Sequence, residues 1–205
     1  MMVFNYPAQP HVRKHGPVGY TEYSSYKPWL RDEFIFRCSY CLIREVWYPN
    51  VSASFGVDHF TPQILAPELT CTYDNLVYAC NRCNSWKQDN VVLDPCKVDF
   101  SQHLQVNEDG TIQALTQEAV EHMQVLGLDD PDLTRYRKQI IDILKRLQAL
   151  PDETATDILH QWLRFPNDLP NLNRLRPPNG NSRPEGVSEC FYNQKQAGRL
   201  PKLHW

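Results

Sequence analysis

Four of the seven cysteines fall into two C-x-x-C pairs, Cys38 with Cys41 and Cys80 with Cys83. Each tight turn presents two thiolates to one ion at about 2.3 Å, so two pairs supply the four sulfurs of a tetrahedral zinc site. With all four positions filled by protein, such a site is structural and leaves none open for a substrate. A redox-active C-x-x-C is the competing chemistry, but two pairs flanking a β-type insert favour zinc. In a reducing compartment this spacing reads as metal ligation and not as a disulfide framework. Cys71, Cys96 and Cys190 are left over and read as small buried hydrophobes.

The insert between the pairs holds the other candidates. Asp58 and His59 are adjacent in "VDHF", Asn75 comes later in "YDNL", Asn84 stands directly after Cys83, and Lys87 lies three beyond it. Each has a plain structural reading: a strand histidine satisfied by its neighbours, an aspartate or asparagine in a turn, a helix-capping asparagine, a solvated lysine. Adjacent strand residues point to opposite faces, so Asp58 and His59 share a cleft only at a bulge or a strand end. The joint order is what stands out: C-x-x-C, then Asp-His, then Asn-Leu, then C-x-x-C-N-x-x-K.

That order resembles the HNH endonuclease family in its zinc-stapled ββα-metal form, through "CSYC", "VDHF", "YDNLVYAC" and "CNSWK" between Cys38 and Lys87. The family's third histidine is Asn84 here, a substitution many members carry. The resemblance implies a phosphodiester hydrolase acting on nucleic acid, most naturally DNA. His59 would be the general base, Asp58 and Asn84 would hold one Mg²⁺ or Mn²⁺ through hard oxygen ligands, and Asn75 would position the loop. Lys87, Arg82 and Trp86 would touch the nucleic acid. "AVEHMQVLGLDDPDLTRYR" is similar to the segment after the motif in some stand-alone bacterial HNH proteins, several of which serve anti-phage defence with a partner ATPase. The rival from another class is a non-catalytic zinc-knuckle module that binds nucleic acid or a protein.

These residues need elements to position them. "SFGVDHF" and "NLVYAC" carry β-branched and aromatic residues between turn formers, a strand signature, and "NRCNSWKQ" opens a short helix. The fold class expected is α+β: a small ββα-metal core with a four-cysteine zinc site over 31–97, a helical extension over 98–165 and a Pro/Asn-rich basic tail over 166–205. Residues 1–30, rich in Pro, Tyr and Gly, read as an irregular arm. Within the extension, Thr116 caps a helix ending near Gly127. Asp130 and Pro131 begin a second that Pro151 ends, with an apolar stripe of Leu133, Tyr136, Ile140, Ile143, Leu147 and Leu150. Thr154 and Asp157, at capping-box spacing, mark a third.

Charge is distributed unevenly. Twelve acidic against five basic residues make 98–159 negative, whereas both ends are basic. A net charge of −3 argues against a protein that coats DNA by electrostatics alone. No window approaches the run of about 18 apolar residues of a membrane span. "MMVFNYPAQPHVRKHG" lacks the apolar region of a secretory signal, which makes the cytoplasm the expected compartment.

Overall fold

A computed structural model of the chain describes residues 3–150 and 152–201. The architecture mixes helices with two small antiparallel sheets. Strand β1, Phe55–His59, pairs with β2, Leu76–Cys80, in a register that sets Phe55 opposite Cys80 and His59 opposite Leu76. Every residue of β2 is buried, so the strand is enclosed on both faces and reads as a continuous apolar run. Helix α2, Asn81–Lys87, continues from β2 without a loop. Cys80 is its N-cap, and the thiol accepts from the Cys83 N–H. The hairpin and α2 form the expected ββα unit.

The elements around this unit depart from the sequence reading at several points. The 1–30 arm is not irregular to its end, because helix α1, Lys27–Glu33, begins inside it with Pro28 in its first turn. The 98–165 stretch is not purely helical: strands β3, Leu104–Val106, and β4, Ile112–Ala114, form a hairpin closed at Gly110, whose φ is +82°. Their three-residue length carries too little alternation to announce a strand.

Helix α3, Gln117–Val125, starts at Thr116, whose hydroxyl accepts from the Ala119 N–H, and stops before Gly127 at φ +53°. Helix α4, Pro131–Ala149, is capped by the Asp130 carboxylate. The expected stop, Pro151, lies outside the described residues. The buried face of α4 is Leu133, Arg137, Ile140, Ile141 and Leu144, whereas Leu150, the last residue of the expected stripe, is 51% exposed. Arg137 enters this face because its guanidinium donates to the carbonyls of Gly110 and Leu128, each at 2.7 Å. Helix α5, Glu153–Trp162, is capped by Asp152, two residues before the expected Thr154. Helices α4 and α5 pack together.

The tail also differs from a free arm. Short helices α6, Glu185–Ser188, and α7, Phe191–Gln196, fold back onto the amino-terminal arm. Pro17 bridges to Asn181, and the Ser182 N–H donates to the Gly16 carbonyl at 2.7 Å. Phe191 joins Phe36, Phe165 and Leu169 in a second apolar cluster. The last residues of the basic tail, 202–205, lie outside the described residues.

Candidate active site and metal centre

The knuckles are built by two local devices. Leu42 at φ +62° turns the chain so that Cys38 and Cys41 face the same way, and the Leu42 N–H donates to the Cys38 carbonyl at 3.1 Å. The second pair uses the strand-to-helix junction at Cys80. The Ser39 N–H donates to the Tyr78 carbonyl at 2.9 Å and joins the two. All four thiols are buried, their sulfurs lie within 4.8 Å of one another, and Cys41 and Cys80 stand 3.7 Å apart. Sulfurs of a tetrahedral site with bonds of about 2.3 Å are about 3.8 Å apart, so the cluster is of a size and donor set that suit zinc.

Tyr40, inside the first knuckle, reaches the next candidate. Its hydroxyl donates to Asp58 Oδ2 at 2.6 Å. Asp58 is 5% exposed, and the Lys87 ammonium lies 3.5 Å from its other oxygen. Burial pushes the Asp58 carboxyl up from the usual range, against the opposing pull of Lys87, Tyr40 and His59. Asp58 shares a strand face with Gly56, and Asn84 packs over Gly56, its amide nitrogen 3.8 Å from where a glycine Cβ would stand. The Asn84 side chain makes no hydrogen bond among the described residues. Asp58 Oδ1, which the Lys87 ammonium also faces, and the amide oxygen of Asn84 are hard donors from neighbouring elements, the ligand type a Mg²⁺ or Mn²⁺ ion takes.

His59 is the last residue of β1, one position past Asp58 and by strand alternation on the opposite face. Its Nε2 lies 2.9 Å from the Thr70 carbonyl, and its ring meets the edge of Tyr23 at 4.7 Å. A carbonyl only accepts, so Nε2 carries the proton and Nδ1 keeps a lone pair. The Gln63 amide is 3.2 Å from Nε2, and with Nε2 donating to Thr70 that amide must present its oxygen and not its NH₂ to the ring. Asn75, 6% exposed, clamps the loop that supplies these contacts: its Oδ1 accepts from the Thr61 N–H at 2.8 Å, and its Nδ2 donates to the Thr61 and Leu69 carbonyls. Thr70, the acceptor for His59, is the next residue after Leu69.

Residues 38–90 match the HNH endonuclease family. The match runs from the first zinc-type cysteine to just past α2 and covers about a quarter of the chain. An HNH domain carries nuclease-type activity with metal binding and acts on nucleic acid. No curated protein matches the chain.

Two other side chains of the matched stretch, Lys87 and Arg82, are placed differently from the sequence reading, while Trp86 keeps an exposed face. Lys87 is no solvated phosphate contact: its side chain is 0% exposed and its ammonium donates to the His59 carbonyl at 2.7 Å. One lysine thus ties the backbone of His59 to the carboxylate of Asp58. Arg82 is engaged within the fold: it donates to the carbonyls of Leu126 and Gly127 beyond α3 and lies 3.7 Å from Asp130. Trp86 is 47% exposed, with Arg82 over one part of its ring at 4.7 Å and Gly127 against it. Both anchor the helical extension to the HNH domain. Tyr40 and Thr70 are the functional neighbours the sequence reading missed. Tyr40 had a signal, its place between two metal-spaced cysteines, whereas Thr70 contributes only a carbonyl that any residue supplies. No described helix is long and apolar enough to cross a membrane.

Proposed function

We propose that the protein is an endonuclease that hydrolyses phosphodiester bonds of nucleic acid, with DNA as the substrate and the cytoplasm as its compartment. The observation that carries this reading is the His59 ring, fixed through Nε2 on the Thr70 carbonyl so that Nδ1 presents a lone pair. Nδ1 takes a proton from water, and the oxygen attacks phosphorus as the bond to the 3′ oxygen breaks. Lys87 and Tyr40 hold Asp58 in place, and Asn75 holds the loop that orients the ring. Mg²⁺ or Mn²⁺ held by Asp58 and Asn84 would neutralise charge on the phosphoryl and departing oxygens. Zinc in the four-cysteine site would fix the knuckles to which Tyr40 belongs. The acidic extension fits a nuclease recruited to its substrate by a protein such as a defence ATPase, and not by its own charge.

The test is cleavage of supercoiled plasmid with Mg²⁺ or Mn²⁺ beside His59→Ala, with zinc content measured in both. A loss of about 100-fold or more in the variant, zinc retained, is the expected result for a general base. Undiminished cutting removes His59 from the mechanism. A second reading, a non-catalytic knuckle that binds nucleic acid, is favoured by one observation: Tyr40 and Lys87 already satisfy Asp58. It expects binding without metal-dependent cleavage.

A further inference from the structure

A cleft of about 620 Å³ begins where the His59 loop ends. Phe60 and Thr61, the two residues after His59, line it together with Asn75 and three cationic side chains from outside the HNH match, Arg13, Lys97 and Arg183. Its size falls in the range of about 300–1,000 Å³ that accepts small organic ligands, so a nucleotide unit fits. The charges of two of the cations are met. Arg183 forms a two-point pair with Asp74 at 3.1 and 3.2 Å, and Lys97 Nζ lies 3.6 Å from Asp94. Both carboxylates line the same cleft.

Arg13 is the exception. Its guanidinium is held between the rings of Phe34 and Tyr73, each centroid 5.2 Å away, and Nη2 donates to the Leu76 carbonyl at 2.6 Å. Nε and Nη1 are shut from bulk water and meet no acceptor among the described residues. Glu33, under the same arm, is already taken by His11, Tyr73 and the N–H groups of Lys14 and His15. Arg13 as a residue is only partly buried, and no carboxylate pairs with its guanidinium among the described residues, so an anion in the cleft would supply a counter-charge. Lys97, 77% exposed at the side chain and with its ammonium over the Phe60 ring, adds a second cation at the surface of the cleft.

We propose that this cleft holds a phosphodiester of the strand being cut, next to the scissile one, over the fixed charge of Arg13 and against the exposed charge of Lys97. The identity of the anion rests on the nuclease reading; the cationic cleft does not. The acidic character of the chain as a whole fits a footprint confined to one short stretch of backbone.

The experiment is binding of a labelled oligonucleotide by anisotropy across a salt series, without cleavage, in the His59→Ala protein. Arg13→Gln and Lys97→Glu are compared with Lys138→Glu, a control on the far extension. Arg13→Gln tests the fixed charge, and Lys97→Glu, at an exposed site, keeps the test sound if the first variant folds poorly. Each cleft variant is expected to weaken binding and to lower the slope of log affinity on log salt by about one, with the control unchanged. Unchanged affinity and slope in the folded cleft variants overturn the proposal. Displacement of the oligonucleotide by inorganic phosphate at equal concentration also overturns it, because the site would then serve small anions and not a strand. Cleft-dependent binding by a protein that cuts nothing would sustain the cleft and remove the nuclease reading. Cutting with cleft-independent binding would do the reverse.

Discussion

Asp58 illustrates how a single buried charge organises the residues around it. Its two oxygens are met by a tyrosine from the zinc knuckle and a lysine from α2, both fully buried. Removing the lysine leaves a buried carboxylate short of its counter-charge, and breaking such a pair costs about 3–5 kcal/mol. Lys87→Met is therefore expected to lower the unfolding midpoint in denaturant markedly, and an unchanged midpoint would show that water already reaches Asp58. Tyr40→Phe removes only one donor, at a cost of about 1–3 kcal/mol. It should retain zinc while losing cleavage, which metal analysis and a plasmid assay on the same sample would separate. At this scale the sequence was informative about which residue types meet. The two knuckles, Asp58, His59, Asn75 and Asn84 all stand in one small ββα unit. It was misleading about Lys87, because a lysine at a helix end is usually solvated, and nothing local reveals that a carboxylate and a carbonyl wait beneath it.

One of the contacts that fix the extension to the HNH domain depends on a missing side chain. Gly127 sits at φ +53°, and a Cβ there would fall 2.3 Å from the Trp86 ring. Gly127→Ala combines left-handed backbone strain with a clash, so a loss of roughly 1–3 kcal/mol is expected. Tryptophan fluorescence should shift as Trp86 leaves its seat; an unaltered spectrum and stability would mean that the two elements are not coupled there. Strands β1 and β2 and helix α2 were legible from period and caps because each carries its own signal. The β3–β4 hairpin was not, since its three-residue strands are stabilised by tertiary packing of Leu104 and Val106. The position of the α4 face was misjudged for a related reason: Arg137 is buried by two carbonyls that belong to distant segments.

Across the whole molecule, two buried titrating groups set the response to acid. Burial alone would raise Glu33, but the donors His11 and the Lys14 N–H hold it at about 2, below its ordinary 4.5. Burial, with His103 nearby, holds His122 at about 3, below its ordinary 6.5, and its Nδ1 accepts from the Leu93 N–H. Both folded-state values are depressed. Each contribution is thus complete above the unfolded value and is lost as pH falls, from about 6.5 toward 3 for His122 and from about 4.5 toward 2 for Glu33. Thermal unfolding should show a midpoint declining in two stages below pH 6.5. His122→Gln should flatten the upper stage, and a flat profile from pH 7 to 3 would contradict both assignments. The fold-back of residues 181–191 onto the arm was invisible in a Pro- and Asn-rich stretch, where the signal is a set of backbone hydrogen bonds and not a pattern of side chains.

That fold-back also governs when the molecule becomes complete during its own synthesis. The bonds from Gly16 and His15 to Asn181, Ser182 and Arg183 span 165 to 168 residues of sequence. The HNH stretch has been translated by residue 90, yet the arm bearing Arg13 and Tyr23 gains its last fastenings only when residue 183 emerges. At about 5–20 residues per second, roughly 5–20 seconds separate the two events. Throughout that interval the nascent chain holds both knuckles and His59 but lacks the clasp that seats its amino-terminal arm, so the side of the molecule that would meet a substrate is the last to be secured.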